Sequence, residues 1–94
     1  MSWQVFFTGK AAKQLENLPS DVGVRARALA HEMEEVGPLR YNRKNFGKLR
    51  GNSNLYHCHL KSGRPTYVVC WEVKKKEIKI IEVYYVGTHE NAPY

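Results

Sequence analysis

Cysteine is scarce in this chain, acidic residues thin out after residue 36, and no apolar run approaches the length of a membrane span. The two cysteines, Cys58 and Cys70, are too few for a disulfide framework. No charged-then-apolar leader precedes Trp3, so a reducing cytoplasm is the expected compartment and no membrane partner is expected. No internal repeat, linker or low-complexity segment interrupts the sequence. What is present is one domain over residues 1–94, with 43% hydrophobic residues, enough for a single compact core.

Charge is unevenly placed. The chain carries +6 in total, yet residues 1–36 hold four basic side chains against five acidic ones, and residues 37–94 hold eleven against four. A C-terminal part this basic suits a polyanion. Nucleic acid fits better than a membrane surface, because no basic amphipathic helix is present. A solvated basic face that merely keeps a small protein soluble gives the same composition.

"WQVFF" (3–7) reads as a first strand. Thr8 can cap the next segment, where Ala11, Leu15 and Leu18 share one helical face. Pro19 ends that helix and Ser20 can cap a second, in which Val22, Ala26, Leu29, Met33 and Val36 step by four and three. Gly37-Pro38 stops it. A basic connector, "LRYNRKNFGKLRGNS" (39–53), leads to strand-like runs at 54–60, 66–73 and 77–86, with "KSGRP" and "KKK" as turns. The order β-α-α-β-β-β predicts an α+β domain, with the N-terminal strand and a helix hairpin packed on an antiparallel sheet.

The run "NLYHCHL" (54–60) carries the chemistry. Side chains alternate across a strand, so Tyr56, Cys58 and Leu60 face the helices while His57 and His59 share the opposite face. Cys58 is thereby turned away from its two neighbours, and a three-ligand metal site from 57–59 is geometrically poor. His57 and His59 could still pair on zinc with His89 or Cys70, but the cationic surroundings disfavour a divalent ion. Strand histidines without a role remain an alternative. The third reading is proton transfer. Imidazole titrates near about 6.5, so either protonation state is accessible at neutral pH. Metal-free RNA cleavage needs a base for the ribose 2′-OH, an acid for the leaving 5′-oxygen, and cations around the phosphorus. His57, His59 and His89 supply proton carriers, and Lys48, Arg50, Lys61 and Arg64 supply cations. DNA lacks the 2′-OH and would be spared.

"WQVFFTGKAAKQLENLP", the helix hairpin, "KLRG" before "NLYHCHL", the strand "YVVCWEV" and the ending "YYVGTHENAPY" together resemble the RelE/ParE superfamily of bacterial type II toxin–antitoxin systems. The likeness runs nearly end to end and is greatest to RelE and YafQ-like ribosome-dependent mRNA interferases. It implies an endoribonuclease that needs no cofactor. The implied catalytic residues are His57 and His59 on the strand, His89 of "GTH", Arg64 as a cation from the preceding turn, and Tyr94 as a terminal aromatic that stacks on a base. The basic stretch with Arg43, Lys44, Lys48 and Arg50, together with Lys61, is assigned to RNA contacts that are salt-sensitive and blind to sequence. The implied partners are the ribosome, its mRNA and an acidic antitoxin segment docked in the basic groove, with the toxin alone as a monomer or held in a hetero-oligomer.

A ParE-like gyrase inhibitor shares the fold and has no need of proton-transfer residues, so the histidine set favours the nuclease. Trp3, Phe6 and Trp71 are expected in the core. Tyr84 and Tyr85 alternate faces, so one of them at most should approach a ligand.

Overall fold

The structure is a computed structural model that describes residues 2–49 and 54–94. Strand β1 (Gln4–Phe7) is followed by helices α1 (Gly9–Glu16) and α2 (Ser20–Val36), then by strands β2 (Gly47–Leu49), β3 (Leu55–Lys61), β4 (Tyr67–Lys75) and β5 (Ile80–Thr88). A 3-10 turn at His89–Asn91 ends the ordered elements. The α+β class and the helix hairpin on a sheet are as expected. Two features extend that reading. The connector contributes the short strand β2, and the sheet is mixed, in the order β1-β5-β4-β3-β2 with β1 running parallel to β5.

The helices form where the sequence pattern placed them, with small differences at their ends. Thr8 caps α1, its Oγ1 accepting from the Ala11 N–H at 3.0 Å. At α2 the cap position falls on Pro19 and makes no side-chain hydrogen bond, so Ser20 is the first helical residue and not the cap. Val22, Ala26, Leu29 and Met33 are buried, but Val36, the last residue of the helix, is 60% exposed. Gly37 then turns the chain at φ +97°, and a Cβ at that position would lie 3.0 Å from Trp3 Nε1. Both the conformation and the space call for glycine.

One core lies between helices and sheet. Leu29, Met33 and Val22 from α2 meet Cys58, Leu60, Val69, Trp71, Ile81, Val83 and Val86 from the strands. Trp71 is fully buried, and its indole N–H donates to the Pro38 carbonyl at 3.2 Å. Phe6, by contrast, is 52% exposed on the edge strand β1 and is not a core residue. Val68, Cys70 and Tyr85 form a second, smaller cluster.

Register shifts interrupt the strand pairing after His59, between Cys70 and Trp71, and between Val73 and Lys75. Between β4 and β5, Cys70 pairs with Tyr85 and Trp71 with Val83, so Tyr84 is an extra residue. Val83 and Val86 therefore both reach the helix-side core, while Tyr84 and Tyr85 both pack with Val68 and Cys70. The expected alternation of the two tyrosines fails for that reason. The β4–β5 turn also falls at residues 76–79, beyond the "KKK" start expected for it, with Lys79 at φ +58° and Ile78 63% exposed.

The connector is bound to α2 through one carboxylate. Glu32 Oε1 accepts from Arg43 Nε at 3.1 Å and Glu32 Oε2 from Asn42 Nδ2 at 3.1 Å, and Arg40 and Arg43 both form ion pairs with it. Burial works against ionisation of Glu32, yet the hydrogen bonds from Arg40, Arg43 and Asn42 hold its carboxyl below the usual range. Glu32→Gln is expected to lower unfolding stability by about 1–3 kcal/mol in urea titrations, since charge-assisted bonds are lost together. Adding Arg43→Gln to that variant should cost little more, because the partner is already gone.

Candidate active site

The site begins with the pleat of β3. Cys58 and Leu60 enter the helix-side core, and His57 and His59 project from the other face, each partly buried. The thiol is inert there, since burial pushes Cys58 up to about 12. Register fixes the neighbours of each imidazole. His57 pairs with Gly47 on β2 and Cys70 on β4, and His59 pairs with Val68. Gly47 permits the close approach of β2, because a Cβ there would lie 3.3 Å from His57 Nε2. The His59 N–H donates to the Lys44 carbonyl at 2.9 Å, which draws the basic connector against this end of the sheet.

The C-terminal turn completes the group. The His89 N–H donates to the Thr66 carbonyl at 2.8 Å, and Ala92 packs on the Val68–Cys70–Tyr85 cluster. The His59 and His89 rings meet edge-on with centroids 5.7 Å apart. Tyr94 lies 5.0 Å from His57 and 5.9 Å from His89 by ring centroid. Imidazoles thirty residues apart in sequence thus share one surface with a terminal aromatic. Beside them a cleft of about 790 Å³ opens between the β3–β4 turn and the C-terminal turn, lined by His59, Arg64, Thr66, His89, Glu90 and Asn91 among others.

Electrostatics favour neutral rings. Burial lowers the proton affinity of His57, and the nearby His59 and His89 lower it further. His59 is lowered by burial, then by His89 and Lys44. His57 Nδ1 is buried with no hydrogen-bond partner among the described residues. An imidazolium would place an unmatched N–H at that atom, so geometry works in the same direction as burial.

The remaining expected residues divide sharply. Arg64 lines the cleft with the histidines, and Lys44 is exposed and close enough to His59 to affect its charge. Arg43 is not brought to the histidines. It is committed to Glu32 on α2. Lys61 is also directed elsewhere: the register shift after His59 pairs it with Tyr67, and its Nζ lies 2.7 Å from Asp21. Lys48 pairs with Tyr56, whose side chain packs on the helix-side core, so it belongs to the face opposite His57. Arg50 lies outside the described residues. Among the described residues no group of three or more histidine, cysteine or acidic side chains is arranged to hold a metal ion.

Sequence reasoning missed two residues that line the cleft, Glu90 and Asn91, and could not place Tyr84. Tyr84 supports the site from beneath: burial first, and then Cys70, raise its pKa, and Tyr94 adds to the effect. Its signal is hidden by the bulge. Glu90 and Asn91 enter the cleft through their proximity to His89, and nothing in "GTHEN" beyond adjacency marks them.

Solved structures share this architecture. A double mutant of the Escherichia coli toxin RelE in its free state aligns over 98% of this chain and 88% of its own, with 26% identity and a TM-score of 0.74. RelE in the archaeal RelE–RelB complex of Pyrococcus horikoshii aligns over 98% of this chain and all of its own, at 22% identity and a TM-score of 0.75. The toxin–antitoxin complex RelBE2 of Mycobacterium tuberculosis matches 95% of this chain and 100% of its own, at 20% identity and a TM-score of 0.70. No family model and no curated protein sequence matches the chain.

The lowered histidines set a pH dependence of stability. Their folded pKa values lie below the ordinary 6.5, so the unfolded chain binds more protons as pH falls through 6.5. The neutral rings' contribution is complete above 6.5 and declines toward the lowered values. Glu32 has the same sign but acts only below its ordinary 4.5. Melting temperature should therefore fall as pH drops below 6.5, and His57→Gln should flatten that slope while leaving the decline below 4.5 in place.

Proposed function

We propose that the chain, which has the fold of the RelE toxins, is the toxin of a toxin–antitoxin pair in the RelE/ParE-like superfamily, an endoribonuclease that cuts mRNA on the ribosome without a metal ion. The observation that carries this reading is the convergence of His57, His59, His89 and Tyr94 on one surface beside a cleft that also holds Arg64.

Each chemical requirement has a candidate. A neutral imidazole takes the 2′-OH proton, and the lowered proton affinity of His59 suits it to that state at pH 7. The 2′-oxygen attacks phosphorus, the P–O5′ bond breaks, and a cyclic 2′,3′-phosphate forms. The departing 5′-oxygen takes a proton from a second imidazole, for which His89 is placed edge-on to His59. Arg64 and Lys44 offer positive charge to the phosphorane. Tyr94 offers a stacking face for an unpaired base, an interaction worth about 1–3 kcal/mol. The partners proposed are the ribosome with its mRNA, and an acidic antitoxin segment that neutralises the basic surface.

Purified protein should cut mRNA on translating ribosomes, and stripping the toxin of metal with EDTA, removed before the ribosomes are added, should leave the rate unchanged. His59→Ala and His89→Ala should each slow cleavage by about 100-fold or more, as removal of a general acid or base does. Full activity in both variants removes the catalytic assignment. Inhibition of gyrase supercoiling by the same sample, with mRNA left intact, selects the ParE-like activity instead.

A further inference from the structure

Beyond Val83, β5 has no strand pairing on its β1 side among the described residues. Strand β1 leaves it at the Phe7–Val83 pair, and the Thr8 N–H makes a last bond to the Val83 carbonyl at 2.9 Å. Backbone groups that face outward from residues 84–88 must be satisfied another way. Two side chains do so. The Val86 N–H donates to Gln14 Oε1 of α1 at 3.1 Å, and the Thr88 carbonyl accepts from the Tyr85 hydroxyl at 2.7 Å. Tyr85 is buried in the small cluster with Val68 and Cys70, which fixes its ring.

That ring reaches Thr88 by passing over Gly87. Side chains two apart on a strand share a face. A Cβ on Gly87 would lie 2.7 Å from the Tyr85 hydroxyl oxygen and 3.0 Å from the ring carbon that bears it. The Gly87 backbone is not left-handed, so space alone calls for glycine there. Any side chain at 87 would push the hydroxyl off the carbonyl.

The bond acts one residue from the chemistry. The Thr88 carbonyl and the His89 N–H belong to one planar peptide unit. Tyr85 holds its oxygen, and the Thr66 carbonyl holds its N–H at 2.8 Å. Thr66 is itself tied to the turn that carries Arg64, its Oγ1 donating to the Gly63 carbonyl at 2.9 Å and accepting from the Gly63 N–H at 3.2 Å. A peptide plane anchored at both edges resists rotation, which sets the direction in which the His89 side chain leaves the backbone.

We propose that Tyr85 is a positioning residue for His89: its hydroxyl, in the space left by Gly87, clamps the Thr88–His89 peptide and so aims the imidazole at the bond that is cut. The proposal rests on the ribonuclease reading of the cleft and adds a residue that touches neither RNA nor the reacting atoms.

Tyr85→Phe keeps the ring in its cluster and removes only the hydroxyl. With mRNA on translating ribosomes it should lower kcat by about tenfold and leave KM unchanged, the cost of a misplaced proton donor. In a His89→Ala background the same change should have no further effect, because no ring is left to aim. An equal loss in both backgrounds, a change in KM alone, or full activity in Tyr85→Phe overturns the proposal. Hydrogen exchange followed by NMR needs no cleavage. The His89 amide should exchange about tenfold faster in Tyr85→Phe, while the core amides of β4 keep their wild-type rates. Unchanged exchange at His89 overturns the clamp whatever the activity. Faster exchange in a protein that leaves mRNA intact defeats the ribonuclease reading and spares the clamp.

Discussion

The alternation of side chains along β3 is the constraint on which the rest depends. One strand must give Cys58 and Leu60 to the core beneath α2 and present His57 and His59 on the far side of the sheet. A slip of one residue would bury both imidazoles and expose the thiol. The register with β2 and β4 prevents it, with His57 held between Gly47 and Cys70. A chemically versatile surface thus follows from an ordinary requirement of core packing.

The second requirement is that a residue far along the chain return to that surface. The bond from His89 N–H to Thr66 carries the C-terminal turn onto the β3–β4 loop. The small cluster of Val68, Cys70 and Tyr85, with Tyr84 and Ala92 against it, gives that turn an apolar support. Polar chemistry on the open face is therefore built on a local apolar patch, which also limits water around His57 and keeps its proton affinity low.

Much of this was legible in the residues. Helix faces, the capping role of Thr8 and the two-sided split of "YHCHL" follow from periodicities of 3.6 and 2 that local sequence records directly. The bulges did not show. The extra residue at Tyr84 moves Val86 into the helix-side core and Tyr85 out of it, the shift after His59 sets Lys61 opposite Tyr67, and no local residue announces either. Charge was the least legible property. Arg43 reads as a free cation in the connector until folding brings Glu32 beside it from eleven residues away, and Lys61 until Asp21 arrives from forty. Composition located the basic half of the molecule, but pairing decides which of its charges remain free. Nor could local patterning bring His89 to His59; the family resemblance implied it, and the Thr66 bond accounts for it.

The central claim is that these imidazoles move protons for an attack by the substrate's own ribose. Replacing that single ribose by 2′-deoxyribose at the cut position, in an mRNA otherwise unchanged and bound to ribosomes, removes the nucleophile and little else. Cleavage at that position should disappear while neighbouring ribose sites remain susceptible. Cutting of the deoxy-substituted position at the wild-type rate would contradict the account.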